Sequence, residues 1–378
     1  MSSKSTGREG RVSVSTVAVS QPVESTASTR IGPGEIVSRV VGNFYVGRLF
    51  KALVTVYLVS TISFFVVHLM PGSPVDVYIY TLMAQYGVSY ETAKNQAAAL
   101  FAVNVDEPLA LQYVDYLSQL ARGNLGNSLL SPGTSVSSVM LAYMPWTLFS
   151  VGVALLISFV LGIVLGMVMA YRRESFLDHV LSLLGSVFHS VPNYIIGILL
   201  VVILGIQLNL VDIAAMRGSF SPGVQPGVNL HFFLDALMHA SLPVLTYVLT
   251  TVGSWMLTMK SNTISTLGED YVTVARARGL GDWRIMTAYV GRNAVIPLVA
   301  QLAIAAGFAV GGSILIETLF VYQGIGWILN SAIAQRDYTV MQGIFLVITT
   351  SVVVANLIAD LLYGKIDPRV RIQGDSGG

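Results

Sequence analysis

The side chains that could do chemistry in this chain are few, and their spacing forms no catalytic pattern. The chain has five histidines and no cysteine, so thiolate chemistry is excluded. The histidines do not form H-E-x-x-H, which would hold zinc, and no G-x-x-x-x-G-K-[ST] loop is present to hold the phosphates of ATP. No two acidic residues sit deep in neighbouring apolar stretches, as a paired-carboxylate hydrolase would require. These residues therefore predict neither a catalytic site nor a metal site.

Composition indicates where such a chain folds. Hydrophobic residues make up 54% of the 378 residues, charged residues 11%, and the mean hydropathy is +0.70. This composition predicts a protein surrounded by lipid, in which a helix needs about 20 apolar residues to cross the hydrocarbon layer. Six stretches without Asp, Glu, Lys or Arg have that length: 52–70, 142–171, 179–211, 236–259, 293–316 and 338–359. The expected fold class is an all-α polytopic membrane protein with six transmembrane helices, the third kinked at Pro192.

Basic residues are distributed unequally between the two sides of these spans. If the N-terminus lies inside, seventeen of the 21 Lys and Arg residues fall on inner segments, and only Lys94, Arg122, Arg217 and Arg336 fall on outer ones. Inner loops of membrane proteins carry the excess of Lys and Arg. The sequence therefore predicts a multi-pass protein of the cell membrane with both termini in the cytoplasm, surrounded by lipid and without a nucleic-acid partner.

The same pattern divides the chain into regions. The expected parts are a disordered cytoplasmic tail (1–42), the first transmembrane helix (43–70), an exterior helical segment (71–141), a core of five transmembrane helices (142–366) and a second cytoplasmic tail (367–378). Within the exterior segment, Pro108 suits the first turn of a helix, and Leu109, Tyr113, Leu117 and Leu120 recur at helical spacing. A small helix outside the membrane is therefore predicted between the first two spans.

Several polar residues lie inside the predicted spans or at their ends: His189, Asn193, His239, Gln301 and Glu317. Such residues could line a polar pathway through the membrane. A hydrogen bond between packed helices explains the first four equally well, and Glu317 could instead cap the turn that follows the fifth span. Gly307 and Gly311 form a G-x-x-x-G pattern, which favours a close approach between helices.

The most charged segment of the core is EDYVTVARARGLGDWRIMTAYVGRNAVIPL, residues 269–298. Asp270 can cap one short helix, Gly279 falls where a helix end favours a left-handed residue, and Asp282 can cap a second helix. Trp283, Met286, Tyr289 and Val290 would form the apolar face of that second helix. The pattern alone fits either an interfacial loop, whose arginines reach the lipid headgroups, or a docking element for a soluble partner.

This segment resembles the cytoplasmic coupling-loop signature of permease subunits of binding-protein-dependent ABC importers, specifically their dipeptide/oligopeptide/nickel branch. That branch shows a Tyr, then A-R-A-K/R-G-L, then R-N-A-x-I-P, which match Tyr271, 275–280 and 292–297. Thr273 replaces an acidic residue of the general importer motif. Further resemblances follow in the same order: FFVVHLMPGSPVD (64–76), DEPLALQYVDYLSQLARGNLGNSL (106–129), ETLFVYQGIGW (317–327) and NLIADLLYGKIDPRVR (356–371). The resemblance covers about 45–371.

The resemblance implies the ABC importer permease fold and a coupling loop at 269–292. It implies four kinds of partner or surroundings: a homologous sister permease, two ATP-binding subunits, an extracytoplasmic substrate-binding protein and membrane lipid. The chain itself would hold no cofactor and would not be an enzyme, since ATP and Mg would bind to the ATPase subunits. The residues expected to couple the chain to the ATPase are Tyr271, Ala275, Arg276, Arg278, Gly279, Leu280, Gly281 and Trp283.

Within that set, Ala275 and Leu280 are expected to pack into a groove of the ATPase partner, and Arg276 and Arg278 to contact its acidic rim or lipid headgroups. Peptides, either di- or oligopeptides, are the expected cargo, with oligosaccharides or nickel as the alternatives. A channel or an intramembrane hydrolase is the alternative from a different functional class.

Overall fold

The computed structural model describes residues 44–69, 74–101, 108–128, 131 and 133–366. The described residues form helices and the turns that connect them. The predicted tails at 1–42 and 367–378 lie outside the described residues.

The helices follow one another in four groups along the chain. The first group is α1 (Phe44–His68), α2 (Pro74–Tyr86), α3 (Tyr90–Phe101) and α4 (Leu109–Ala121). The second is α5 (Val136–Tyr171), α6 (Phe176–Ser190), α7 (Asn193–Leu200), the π-helix π1 (Val201–Gln207) and α8 (Leu230–Leu267). The third is α9 (Asp270–Ala277), α10 (Asp282–Arg284), the π-helix π2 (Ile285–Gly291), α11 (Arg292–Ala294) and α12 (Ile296–Ala309). The last is α13 (Ile314–Leu319), α14 (Ile325–Gln335) and α15 (Tyr338–Ile366).

Four of these helices are long and apolar enough to cross a membrane: Gly47–Val66 within α1, all of α5, all of α8 and Tyr338–Ala359 within α15. Two bent pairs, α6 with α7–π1 and α10–π2–α11 with α12, raise the number of spans in the described residues to six if each pair is one span. The all-helical, multi-pass class predicted from composition is confirmed. The predicted break at Pro192 is also present, with an angle of 104° between the two halves. Proline causes such breaks because it lacks the backbone N–H of a helical hydrogen bond.

Helix α8 lies at the centre of the packing, with half of its most apolar window buried. Glycines let its neighbours approach it closely. Gly162 of α5 lies against Trp255, and Gly185 of α6 lies against Gly253, where a methyl group on either glycine would overlap atoms of the other helix. Because small residues let helix backbones touch, these contacts bring α5 and α6 directly onto α8.

The G-x-x-x-G pattern at the end of α12, whose second glycine lies in the turn just after the helix, has the same effect on a different neighbour. A side chain at Gly307 would overlap Ala355 of α15, and Gly311 lies beside Ile348 of that helix. The close approach predicted from these two glycines is therefore present, and α12 packs onto α15.

An ion pair joins α6 and α8 beyond their glycine contact. Lys260 Nζ lies 2.5 Å from Asp178 Oδ1, and the Asp178 side chain is largely buried. Lys260 also donates a hydrogen bond to Ser182 Oγ at 3.2 Å, and the backbone N–H of Glu174 donates to Asp178 Oδ2 at 3.1 Å. Removing one partner of a buried ion pair, or sliding it away, leaves an unpaired charge and strongly destabilises the fold. This contact therefore fixes the two helices in one register.

The region between α1 and α5 contains more helix than the sequence predicted. The helix expected from Leu109 onward is present as α4, but α2 and α3 also form a hairpin around a small core of Ile79, Ala93 and Ala97. In α4, Tyr113 contacts α1 through a 2.7 Å hydrogen bond between its hydroxyl and Thr61 Oγ1. The short helices were not predicted because few apolar positions recur within twelve or thirteen residues.

The glycine contact between α6 and α8 predicts a stability difference. Gly253→Ala should lower the free energy of unfolding by about 1–3 kcal/mol, because the added methyl group must push α6 away. Thermal unfolding in detergent, followed by tryptophan fluorescence, measures the change. Gly152→Ala is the matched control, since Gly152 in α5 has open space where the methyl group would go. Equal melting temperatures for the two variants would contradict the proposed contact.

Candidate functional site

Residues 269–291 fold into two short helices that meet at a sharp turn, a unit called the charged corner below. Gly279 has φ +73°, the left-handed conformation predicted for it. Its N–H donates to the Arg276 carbonyl at 2.9 Å, and the N–H of Leu280 donates to the Ala275 carbonyl at 3.3 Å. These two bonds form the Schellman motif, which ends a helix and turns the chain. The first half of the corner therefore has the predicted geometry.

The second half differs from the prediction. The caps are Glu269 and Gly281, one residue before each expected aspartate, and neither makes a side-chain capping bond. Residues Ile285–Gly291 form a π-helix, whose hydrogen bonds join residues five apart. This spacing buries Ile285 and Val290 together, whereas Trp283 is 74% exposed. The apolar face predicted from α-helical spacing, which included Trp283, is corrected accordingly.

A small apolar cluster holds the two halves of the charged corner together. Val272 and Ala275 from α9 pack on Ile285 and Val290 from π2, and all four are buried; these residues are called the corner core below. Leu280 and Tyr289 pack against the cluster from outside. Ala275 and Leu280 were expected in a partner's groove. Ala275 is buried in the corner core, so its side chain is not available to a partner in this conformation. Leu280 is only half-buried where the Schellman turn brings it back onto α9, and its contact with a partner stays a prediction.

The outer surface of the charged corner combines apolar and cationic groups. Trp283, Val274 and Tyr271 are 74%, 55% and 39% exposed, respectively. Arg276, Arg278, Gly279 and Gly281 are exposed beside them. An exposed tryptophan flanked by arginines is typical of surfaces that bind another protein. The corner thus presents a compact surface suited to an apolar pocket with an acidic rim.

Two asparagine amides connect the charged corner to the neighbouring helices. Asn293 in α11 donates hydrogen bonds from Nδ2 to the Tyr271 hydroxyl at 3.0 Å and to the Tyr289 carbonyl at 2.8 Å. Asn262 of α8 donates from Nδ2 to the Ala294 carbonyl at 3.2 Å. Neither asparagine was predicted to be functional. The signal available in the sequence was a pair of asparagines at the polar ends of two apolar stretches.

The five polar residues predicted near a pathway differ in their exposure. His189 at the end of α6 and Gln301 in α12 are exposed, while Asn193, the first residue of α7, is half-buried. His239 in α8 is 1% exposed, and neither of its ring nitrogens has a hydrogen-bond partner. Among the described residues, no hydrogen bond or ion pair joins any two of these five side chains. Nor does any group of three His, Asp or Glu side chains that could hold a metal occur in the part of the chain the structure describes.

Glu317, the fifth of these residues, is fully buried in α13, and its carboxylate lies at the start of α14. Its Oε1 accepts a hydrogen bond from Thr147 Oγ1 at 2.9 Å, and its Oε2 accepts one from the N–H of Trp327 at 3.0 Å. Thr147 Oγ1 in turn accepts from the N–H of Ile325 at 2.7 Å. Glu317 and Thr147 thus satisfy the free N–H groups at the N-terminus of α14 and tie that helix to α5. In this geometry Glu317 caps the helix that follows the turn.

A cavity of about 340 Å³ lies where α14 ends and α5 and α15 begin. Ser128, Ser138, Gln335 and Asp337 contribute polar groups to its wall. Asp337 accepts hydrogen bonds from the Ser128 hydroxyl and from the N–H of Val340 at the start of α15. Its carboxylate therefore joins the chain before α5 to the N-terminus of α15.

Comparison with known proteins identifies the family. The family model "Binding-protein-dependent transport system inner membrane component" matches residues 162–372. The chain is 32% identical over 325 residues to a putative peptide permease protein of Brucella suis, covering 86% of this chain and 98% of that protein. It is 32% identical over 343 residues to the di/tripeptide transport system permease protein of Pseudomonas aeruginosa, covering 88% and 99%. It is 29% identical over 341 residues to the dipeptide transport system permease protein of Escherichia coli K12, covering 87% and 98%.

The family match includes the end of α5, α6, α8 and the charged corner, and the alignments with these relatives cover 86–88% of this chain. Members of this family are transport components that work with separate ATP-hydrolysing subunits. The chain therefore belongs to the binding-protein-dependent transport system inner membrane components, the permease subunits of ABC importers.

Proposed function

We propose that this chain is one of two membrane subunits of an ATP-driven importer of di- or oligopeptides. The observation that carries the proposal is the similarity to peptide permeases, which covers 86% or more of this chain and 98% or more of each of the three relatives named above. A homologous sister permease would complete the path, two ATP-binding subunits would supply ATP and Mg, and an extracytoplasmic binding protein would deliver the cargo.

Reconstitution of the complete complex in liposomes tests the cargo. ATP-dependent accumulation of a labelled dipeptide, blocked by unlabelled oligopeptide, is the expected result. Accumulation of an oligosaccharide or of nickel without any peptide would overturn the peptide assignment. Transport by this chain alone, without ATP, would indicate a channel, and peptide cleavage by the chain alone would indicate a hydrolase.

The membrane topology is part of the proposal. Counting each bent pair as one span gives six spans, with both termini in the cytoplasm and residues 71–141 outside. The bias of seventeen among 21 basic residues supports this orientation. The charged corner then lies on the cytoplasmic side, where the ATP-binding subunits would be.

Cysteine labelling tests this topology on a chain that has no native cysteine. Ser89→Cys, in the exposed turn between α2 and α3, should react with a membrane-impermeant maleimide added outside intact cells. Thr273→Cys, exposed on α9, should react only after the membrane is opened. Labelling of Ser89→Cys from the cytoplasmic side alone would contradict the orientation.

The charged corner is the proposed contact with the ATPase. Its exposed Trp283, Val274 and Arg278 would meet the partner, while the corner core keeps the two short helices from moving independently. Arg276 would contact the acidic rim of the partner or the lipid headgroups. A movement of the ATPase would thus displace the whole corner together with α12. Nucleotide bound to the ATPase and cargo bound in the path would then shift the same equilibrium between two conformations.

The conformation of Gly279 predicts a graded effect of substitution. Gly279→Val should leave the spans inserted but abolish most transport and the stimulation of ATPase by loaded binding protein, because a β-branched residue tolerates positive φ poorly. Gly279→Asn should retain much more activity, since asparagine adopts the left-handed conformation more readily. Both are measured as peptide uptake and stimulated ATP hydrolysis in liposomes. Normal activity of Gly279→Val would show that the segment is only a surface loop.

The pathway residues divide by exposure. We propose that His189 and Gln301, which are exposed in this chain, face the path or the sister subunit, with Asn193 beside the bend between α6 and α7. For Glu317 and His239, burial supports a role in holding helices together. Asn193 is intermediate in exposure, so the sister subunit would determine whether it faces the path or packs between helices.

A further inference from the structure

We propose that Asn293 is a positioning residue, which fixes the charged corner to α11, the segment that leads into α12, so that the corner and α12 move as one body. This inference rests on the proposed coupling function. Asn293 is itself exposed, and it has been assigned neither to the contact with the ATPase nor to the cargo path. The observations that carry it concern the connection between two packed clusters.

The first cluster is the corner core, and the second anchors α12 to α8. In the second, Ala294 and Leu298 pack with Trp255 and Met259 of α8, and all four are buried. Each cluster is rigid by its own packing, because buried apolar side chains interlock at close distances. Residues 291–295, which include Ala294 of the second cluster, lead from the corner core into α12.

The chain bends within this connection. The axis of Asp282–Ala294 and the axis of Ile296–Ala309 differ by 48°. Pro297 in the first turn of α12 removes one backbone N–H from the helical ladder there. A bend with a missing ladder bond is a place where a push on the corner could be lost as local flexing. Some other contact must stiffen it if the movement is to reach α12.

Ala294 and Leu298, on either side of the bend, pack in one cluster and supply that contact, while Asn293, just before Ala294, binds the corner. The single amide group of Asn293 donates to two elements of the corner, the Tyr271 hydroxyl on α9 at 3.0 Å and the Tyr289 carbonyl on π2 at 2.8 Å. The next residue, Ala294, is held from the opposite side by Asn262 of α8 through the 3.2 Å bond to its carbonyl. Two consecutive residues at the bend are therefore bound to the corner on one side and to the membrane core on the other.

Removal of the amide should weaken coupling without removing the corner. In Asn293→Leu, which has a similar shape but no donor, the ratio of stimulated to unstimulated ATP hydrolysis should fall about tenfold, as expected for two lost hydrogen bonds. Tyr271→Phe loses one of the two bonds, and the ratio should fall about threefold. Tyr271→Phe in the Asn293→Leu background should have no further effect, because both changes remove the same bond.

Tyr289→Phe is the matched control. It removes the hydroxyl group of a residue that Asn293 contacts, but Tyr289 accepts the hydrogen bond through its backbone carbonyl, which the substitution keeps. Its ratio should equal that of the unchanged chain. All variants are compared in the full complex in liposomes, with loaded binding protein, after co-purification has measured the amount of ATP-binding subunit retained.

A distance measurement separates stiffness from loss of assembly. Spin labels on Thr273→Cys in α9 and Ala306→Cys in α12 occupy exposed positions in a chain without native cysteine. Double electron–electron resonance should show one narrow distribution of the distance between the two labels when Asn293 is unchanged, and a broad distribution in Asn293→Leu. A purely structural role would lower the amount of complex without changing the width of the distribution in what remains.

The outcomes are distinguishable from those of the proposed function. If Gly279→Val abolishes stimulation while Asn293→Leu and Tyr271→Phe keep it, the corner couples without Asn293, and this inference is wrong. An unchanged distance distribution in Asn293→Leu also overturns it. If Gly279→Val keeps full stimulation, the coupling function itself fails. Should Asn293→Leu not assemble, Tyr271→Phe alone decides the result.

Discussion

The close approach of α5 and α6 to α8 is the constraint on which the rest of the structure depends. Lipid offers apolar side chains as good an environment as the protein interior, so helices in a membrane associate through close packing and polar contacts. In this chain Gly185 and Gly253 let two backbones touch, and the pair of Lys260 and Asp178 fixes their register. With α8 held in this way, its final turns present Asn262 in a defined place, where it binds the bend that leads into α12.

The charged corner is built from local interactions and is then attached to this frame. A left-handed glycine and a Schellman turn reverse the chain, and the corner core locks the two short helices. Its outer surface keeps Trp283 exposed, a costly arrangement for a side chain of that size unless something covers it. A rigid, exposed corner that continues into a span and is also bound to it by polar contacts has the properties that the proposed transmission of movement requires. In this family the ATP is hydrolysed by separate subunits, which would be the source of that movement.

Much of this arrangement is readable in the sequence because its physical signals are local. Uncharged stretches predicted the helical membrane class, Pro192 predicted the break in the third stretch, and Gly279 predicted the turn. The failures concern features that depend on contacts distant in the chain. The π-helix at Ile285–Gly291 changes which residues share a face, and α-helical spacing cannot indicate it. Likewise, the inward orientation of Ala275 and the hydrogen bonds of Asn293 follow from tertiary packing, which overrides local pattern.

Site-specific photo-crosslinking at position 283 tests whether the charged corner contacts the ATP-binding subunit. A photoreactive amino acid replaces Trp283 in the complete importer, at the most exposed large apolar side chain of the charged corner. We expect a covalent adduct with the ATP-binding subunit, while the same probe at Tyr86, in the proposed exterior segment, gives none. Adducts at position 283 with lipid alone, in a complex that still transports peptide, would show that the corner does not contact this subunit.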